Sequence, residues 1–167
     1  MQPPTLVARH EDMQIVGFKI RTRNSAEVDP KSAEIPKLWH RFFEWQARTK
    51  QKRAGQPAVI IAVYSDYESD ENGAYTLTLG AESSFVGELP EGMVTRTIPA
   101  GTYTRVTSDK GQMPLNVIDA WKTIWQASPE WLGGRRAFQT DFEIYDERCR
   151  NSAESQIDIY LSLKPWN

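Results

Sequence analysis

Residues 140–148 read TDFEIYDER. Aromatic and β-branched residues alternate there with acids, the period-two pattern of a β-strand. Phe142 and Ile144 fall on one face, and Asp141, Glu143 and Tyr145 on the other. The first face suits a core. The second carries a carboxylate flanked by aromatic groups, so if it looks into a cleft, Glu143 is a charge aimed at whatever binds there. The plain alternative is a solvated strand face with ordinary acidic decoration, and the neighbouring segments have to decide between the two.

Towards the C-terminus, a polar turn at 149–154 leads to a last strand at 156–164, QIDIYLSLK. Its Ile157, Ile159 and Leu161 point inward, with Asp158, Tyr160 and Ser162 on the reverse. If the apolar residues of the two strands share a face, Glu143 and Tyr145 share the other with Tyr160. Asp141 and Glu147 then fall to the rim or to solvent. Before the opening strand, a loop at 130–136 carries Gly133-Gly134, and Val117, Ile118, Trp121, Ile124 and Trp125 trace a helical stripe that Pro114 can begin. Residues 93–107 alternate as a strand, interrupted at Pro99-Ala100-Gly101, which suits a kink or bulge in an edge strand. This half of the chain is β-α-β-β over residues 93–164.

The first half repeats that order over residues 14–82. Residues 14–23 (QIVGFKIRTR) are a strand, and residues 1–13, with Pro3-Pro4, a loose arm. Residues 32–48 are a helix with Ser32 as N-cap and Pro36 in the first turn. Its apolar sector, Leu38, Trp39, Phe42, Phe43 and Trp45, is wide. Either all five are core, or Trp39 or Phe43 is left to line something else. Residues 58–64 (AVIIAVY) are a buried strand, 65–73 a hairpin connection ending in Asn72-Gly73, 74–81 the next strand, and 83–92 a linker. The expected fold is α+β: one domain over residues 1–167, built of duplicated β-α-β-β units with two main helices, and a cleft between the repeats.

The composition narrows the function classes. The chain has 167 residues, 40% hydrophobic, enough for a core without disulfide or metal staples. The formal net charge is −2, and the only dense basic run is RTKQKR at 48–53, read as the charged end of a helix. Direct nucleic-acid binding is disfavoured, because neutralising phosphates takes clustered Lys and Arg. Cys149 is the only cysteine, and the two histidines, His10 and His40, are far apart. No disulfide, zinc site, catalytic thiol or cofactor motif follows. No leader or membrane-length apolar window is present, so the expected location is the cytoplasm.

The set of IPAGTY at 98–103, the Trp121/Trp125 helix, FEIY at 142–145 and IDIYL at 157–161, with YTLTLG at 75–80 for the first repeat, resembles the gyrase-inhibitor-like effector-binding domain of AraC-type and related multidrug-responsive regulators. It is most similar to the free-standing versions carried on integron gene cassettes. The resemblance implies a curved antiparallel sheet with a central ligand cleft. It also implies that Glu143 matches the family's cleft glutamate, which pairs with cationic, lipophilic ligands sandwiched by aromatic side chains. Unlike the regulators, the chain leaves no room for a helix-turn-helix before Gln14 or after Asn167. This polypeptide alone is therefore not expected to control transcription directly, and a separate DNA-binding or regulatory protein stands open as a partner.

That reading gives Glu143 the charge role, makes Tyr145 and Tyr160 phenol walls or hydrogen-bond partners, and makes Trp39, Trp121 and Trp125 candidate walls from the helices. A desolvated carboxylate has a raised pKa, and a bound organic cation offsets the cost of keeping it charged. The leading expectation is therefore a non-catalytic binder of small cationic or amphipathic molecules, a sensor or a sequestering protein. Two others stand beside it. Some relatives of the domain hydrolyse strained electrophiles, for which Glu143 and Tyr160 could serve as acid and base. A protein-binding antagonist module is the third. The oligomeric state is not legible in the chain.

Overall fold

The computed structural model describes residues 1–49, 59–83 and 88–165. Its strands are β1 (Thr5–Arg9), β2 (Met13–Thr22), β3 (Ile60–Ser65), β4 (Tyr75–Glu82), β5 (Val94–Ile98), β6 (Gly101–Thr107), β7 (Asp141–Tyr145) and β8 (Asp158–Ser162). Its helices are α1 (Asn24–Glu27), α2 (Ile35–Arg48), α3 (Leu115–Gln126) and α4 (Pro129–Leu132). Among the described residues all eight strands form one sheet in the order β1-β6-β8-β7-β3-β4-β2-β5, and every neighbouring pair is antiparallel. The fold is α+β, and the central pair is β3–β7.

The sheet is curved because its connections demand it. Only residues 10–12 join β1 to β2 and only Pro99-Ala100 join β5 to β6, yet each joined pair stands far apart in the strand order. A chain advances at most about 3.5 Å per residue, so the margins of the sheet must curl towards each other at these joints. The Ala100 N–H donates to Asp12 Oδ1 at 2.7 Å across them. Gly17 and Gly80 pair where β2 and β4 come close, and a Cβ on either would sit 2.0 Å from a backbone carbonyl oxygen of the other strand.

Three expectations change here. The supposed loose arm contains β1, whose backbone pairs with β6 from Thr5↔Arg105 to Arg9↔Gly101. Residues 93–107 are not one kinked edge strand, because Pro99-Ala100 carries the chain from β5 beside β2 to β6 between β1 and β8. Ser32 does not cap α2; its hydroxyl donates to the Ala26 carbonyl. Glu27 takes that role, its two carboxylate oxygens accepting the Glu34 and Ile35 backbone N–H groups at 3.0–3.1 Å. Pro36 does lie in the first turn. Residues 50–53 of the basic run, Ala58 and residues 84–87 of the linker lie outside the described residues.

Two hydrophobic clusters occupy the two faces of the sheet. The larger joins Leu38 and Phe42 of α2 and Val117, Trp121 and Ile124 of α3 to Leu77, Leu79, Ile159 and Leu161. The smaller joins Ile15, Ile61, Val63, Ile98, Tyr103 and Phe142, with Tyr160 packed against it. Both faces of the central strands are therefore buried, and their alternation separates two interiors rather than inside from outside. Among the described residues no helix is long and apolar enough to cross a membrane.

Candidate functional site

Strand β7 runs between β3 and β8, so its side chains are fixed by neighbours on both sides. Glu143 stands opposite Ala62 of β3 and Ile159 of β8. That register sends its side chain to the helix-covered face, where it is 2% exposed. Its Oε1 accepts the Tyr64 hydroxyl at 2.6 Å. Its Oε2 accepts the Tyr145 hydroxyl at 2.8 Å and, more weakly, the Trp121 Nε1–H at 3.5 Å. Among the described residues these are neutral donors, and no cation forms an ion pair with it.

Burial pushes the Glu143 carboxyl above its ordinary value of 4.5, and the hydrogen bonds from Tyr64, Tyr145 and Trp121 only partly oppose the shift. The same burial, with Glu143 adjacent, lifts the Tyr64 and Tyr145 phenols well above 10. Both phenols thus stay protonated as donors. Of these three groups the carboxyl is therefore the one that gives up its proton first.

Rings close the site on the helix side. Trp39 from α2 meets the Tyr145 ring edge-on, with centroids 4.8 Å apart, and Trp121 from α3 packs on Tyr64 at 5.1 Å. Tyr64 also touches Tyr75 at 5.3 Å. The chain Trp39–Tyr145–Glu143–Tyr64–Trp121 thus runs from one helix to the other across the central strands. Trp125 stands one step further out, 6.4 Å from Trp121 and 38% exposed, with no recorded contact to Glu143.

Tyr160 is not part of this group. It pairs with Phe142, not Glu143, and its ring stacks on Phe142 at 4.6 Å with 3° between planes, on the opposite face of the sheet. The expected hairpin register was therefore off by one residue. Because both faces of β7 and β8 are buried, apolar side chains mark neither face as the inner one, and a one-residue slip exchanges every side chain. Tyr64 takes the phenol place expected of Tyr160. It ends the uninterrupted apolar run 58–64, whose pattern assigns no face. The one signal for it was parity: it shares a face with Ala62, and the β3–β7 register places that face beside Glu143.

Asp141 was expected at the rim or in solvent, but it is fully buried. Its Oδ2 accepts the Arg136 guanidinium and the Tyr67 hydroxyl, both at 2.7 Å. Its Oδ1 accepts the Ser162 N–H at 2.8 Å and the Ser162 hydroxyl at 3.1 Å. Arg136 and Tyr67 come from connecting segments, which strand alternation does not place.

The comparisons with known proteins agree with this fold. YobU of Bacillus subtilis (strain 168), which bears the name of a candidate transcriptional regulator, is 31% identical over 156 residues, covering 93% of this chain and 95% of YobU. An integron cassette protein from Vibrio cholerae superposes with a TM-score of 0.76 at 26% identity, over 98% of this chain and 97% of that one. SAV2435, solved bound to tetraphenylphosphonium, shares the fold with a TM-score of 0.68 at 16% identity, over 98% of this chain and 94% of its own. A family model for integron-associated effector-binding proteins, Cass2, matches residues 7–163, and the chain belongs to that small-molecule effector-binding family.

Proposed function

We propose that the chain binds a cationic, lipophilic small molecule between α2 and α3, with Glu143 as counter-charge and Tyr64, Tyr145, Trp121 and Trp39 as walls. The observation that carries this reading is a buried carboxylate whose recorded hydrogen bonds all come from neutral groups. A permanent cation about 4 Å away would gain on the order of 4 kcal/mol at an effective dielectric of 20. Each ring it touches would add about 0.5–2 kcal/mol. A delocalised, weakly hydrated cation loses little on leaving water, which favours lipophilic ions over compact ammonium groups. The tetraphenylphosphonium held by SAV2435 is an ion of that kind.

With Glu143 2% exposed, a ligand must displace rings to reach it. Trp39 and Tyr64 are the part-exposed members of the wall and the natural ones to move. We read residues 14–82 and 93–164 as two related halves of one binding unit, the second opening on β5 and β6 in place of a single strand. In this reading it acts as a sensor or sequestering protein, without catalysis, and signals through a separate regulatory protein.

Isothermal titration with tetraphenylphosphonium and with neutral triphenylphosphine oxide tests the charge role. Glu143→Gln is expected to weaken the phosphonium at least about tenfold, as losing a desolvated charge partner does, and to leave the oxide nearly unchanged. Equal loss for both ligands sinks the reading. Consumption of a strained epoxide in the same cell, lost in Glu143→Gln, would show a hydrolase instead.

A further inference from the structure

A half-open cavity of about 310 Å³ lies between the end of α3, α4 and the connection from β3 to β4. That volume is at the lower end of ligand pockets, which begin near about 300 Å³. Trp125, Leu132 and Phe138 supply an apolar wall. Phe138 has a positive backbone φ of 51°, a conformation that costs a bulky residue energy and is kept where the side chain's position matters.

Arg136 lines the same cavity with its side chain only 8% exposed. Its guanidinium lies 4.1 Å over the Phe138 ring. Among the described residues it makes one side-chain hydrogen bond, to Asp141 Oδ2, and its Nε is buried with no acceptor. A buried guanidinium whose Nε lacks an acceptor has hydrogen-bonding capacity left for an oxygen. Arg135 and Lys164 add two more positive charges to the lining, and neither forms an ion pair among the described residues. Asp70 and Glu71 also line the cavity and offset Arg135 and Lys164, while Asp141 already neutralises Arg136. What draws an anion here is therefore the hydrogen-bonding capacity of Arg136 rather than net charge, and a polyanion is disfavoured.

We infer that this cavity is a second ligand site, separate from Glu143, for a small molecule carrying a single carboxylate on an aromatic or branched apolar body. The carboxylate takes the Arg136 donors that Asp141 leaves open, the planar guanidinium serving both acids. The body packs between Trp125, Phe138 and Leu132. The inference does not depend on the cation reading: the two sites use different residues and opposite charge.

The test is calorimetric titration of the full chain with 3-phenylpropionate and with phenethylamine, which share an apolar body and differ in charge. Saturable binding of the carboxylate in preference to the amine is expected. Arg136→Lys keeps the charge that Asp141 needs but loses the planar guanidinium, and should weaken the carboxylate about tenfold, the order of one charge-assisted hydrogen bond. Trp125→Ala, at a part-exposed position where folding is not at stake, should weaken it severalfold. No saturable binding, tighter binding of the amine, or a carboxylate affinity unchanged in Trp125→Ala would each overturn the inference.

Discussion

Asp141 and Glu143 are two residues apart on one face of one strand, and both are buried. Asp141 is fully provided for, with a guanidinium, a phenol, a backbone N–H and a hydroxyl around it. Glu143 has two phenols and an indole, and no positive partner among the described residues. The first arrangement is closed in charge and the second is not. A protein that only needed a polar anchor in this sheet would gain nothing from leaving Glu143 open. The difference separates an acid that belongs to the architecture from one left to meet something from outside.

The comparison can be broken at several points. The largest effect is expected from Arg136→Met, which strands the Asp141 carboxylate in the interior. Urea denaturation should show a loss of about 3–5 kcal/mol, the usual result of removing one partner of a buried pair. A loss below about 1 kcal/mol, on the scale of exposed pairs, would mean that Asp141 is hydrated and the contrast false.

A smaller and pH-dependent effect is expected from Glu143→Gln. The folded-state carboxyl has a raised pKa, so between its unfolded and folded values the native state holds the extra proton. Wild-type stability must then fall as pH rises through that window, by about 1.4 kcal/mol for each unit of upward shift. The glutamine variant lacks this fall and should overtake wild type above it. Parallel stability curves from pH 4 to 8 would remove the raised pKa from the account. By the same linkage, phosphonium binding favours the carboxylate and should tighten as pH rises, with a proton released on binding.

The smallest effect is expected from Tyr160→Phe. Its ring packs on the other face of the sheet, so stability should change by no more than about 0.5 kcal/mol, and tetraphenylphosphonium affinity should not change. A tenfold loss of affinity would return Tyr160 to the site.

Much of this was legible in the sequence. The parity of residues 141–145 placed Asp141, Glu143 and Tyr145 together, and the structure agrees. The stripe through Trp121 and Ile124 gave α3 its inward face, and Pro36 fell in the first turn of its helix. Contacts between strands far apart in sequence were not legible. Tyr64 meets Glu143 across 79 residues, and alternation within β3 says nothing about which strand lies beside it. The slip at Tyr160 has a related cause. Residues facing the smaller cluster look in sequence like residues facing the larger one, because both interiors take aromatic and branched side chains. Asp141 was misplaced because its partner, Arg136, sits in a connecting segment with no periodicity to fix it.

The carboxylate of Glu27 has a consequence for the aromatic wall. It accepts the Thr22 hydroxyl at the end of β2 as well as the first N–H groups of α2, so strand and helix share one clamp. Trp39 lies four residues past Ile35, about 6 Å along the helix axis from that clamp, while Trp45 lies about 15 Å along it. Any swing of α2 about its clamped end therefore carries Trp45 through an arc more than twice as long as that of Trp39. Like a tool held near its pivot, the helix leaves the backbone of Trp39 almost in place, so its ring makes way by turning about its own side-chain bonds rather than by riding on the helix.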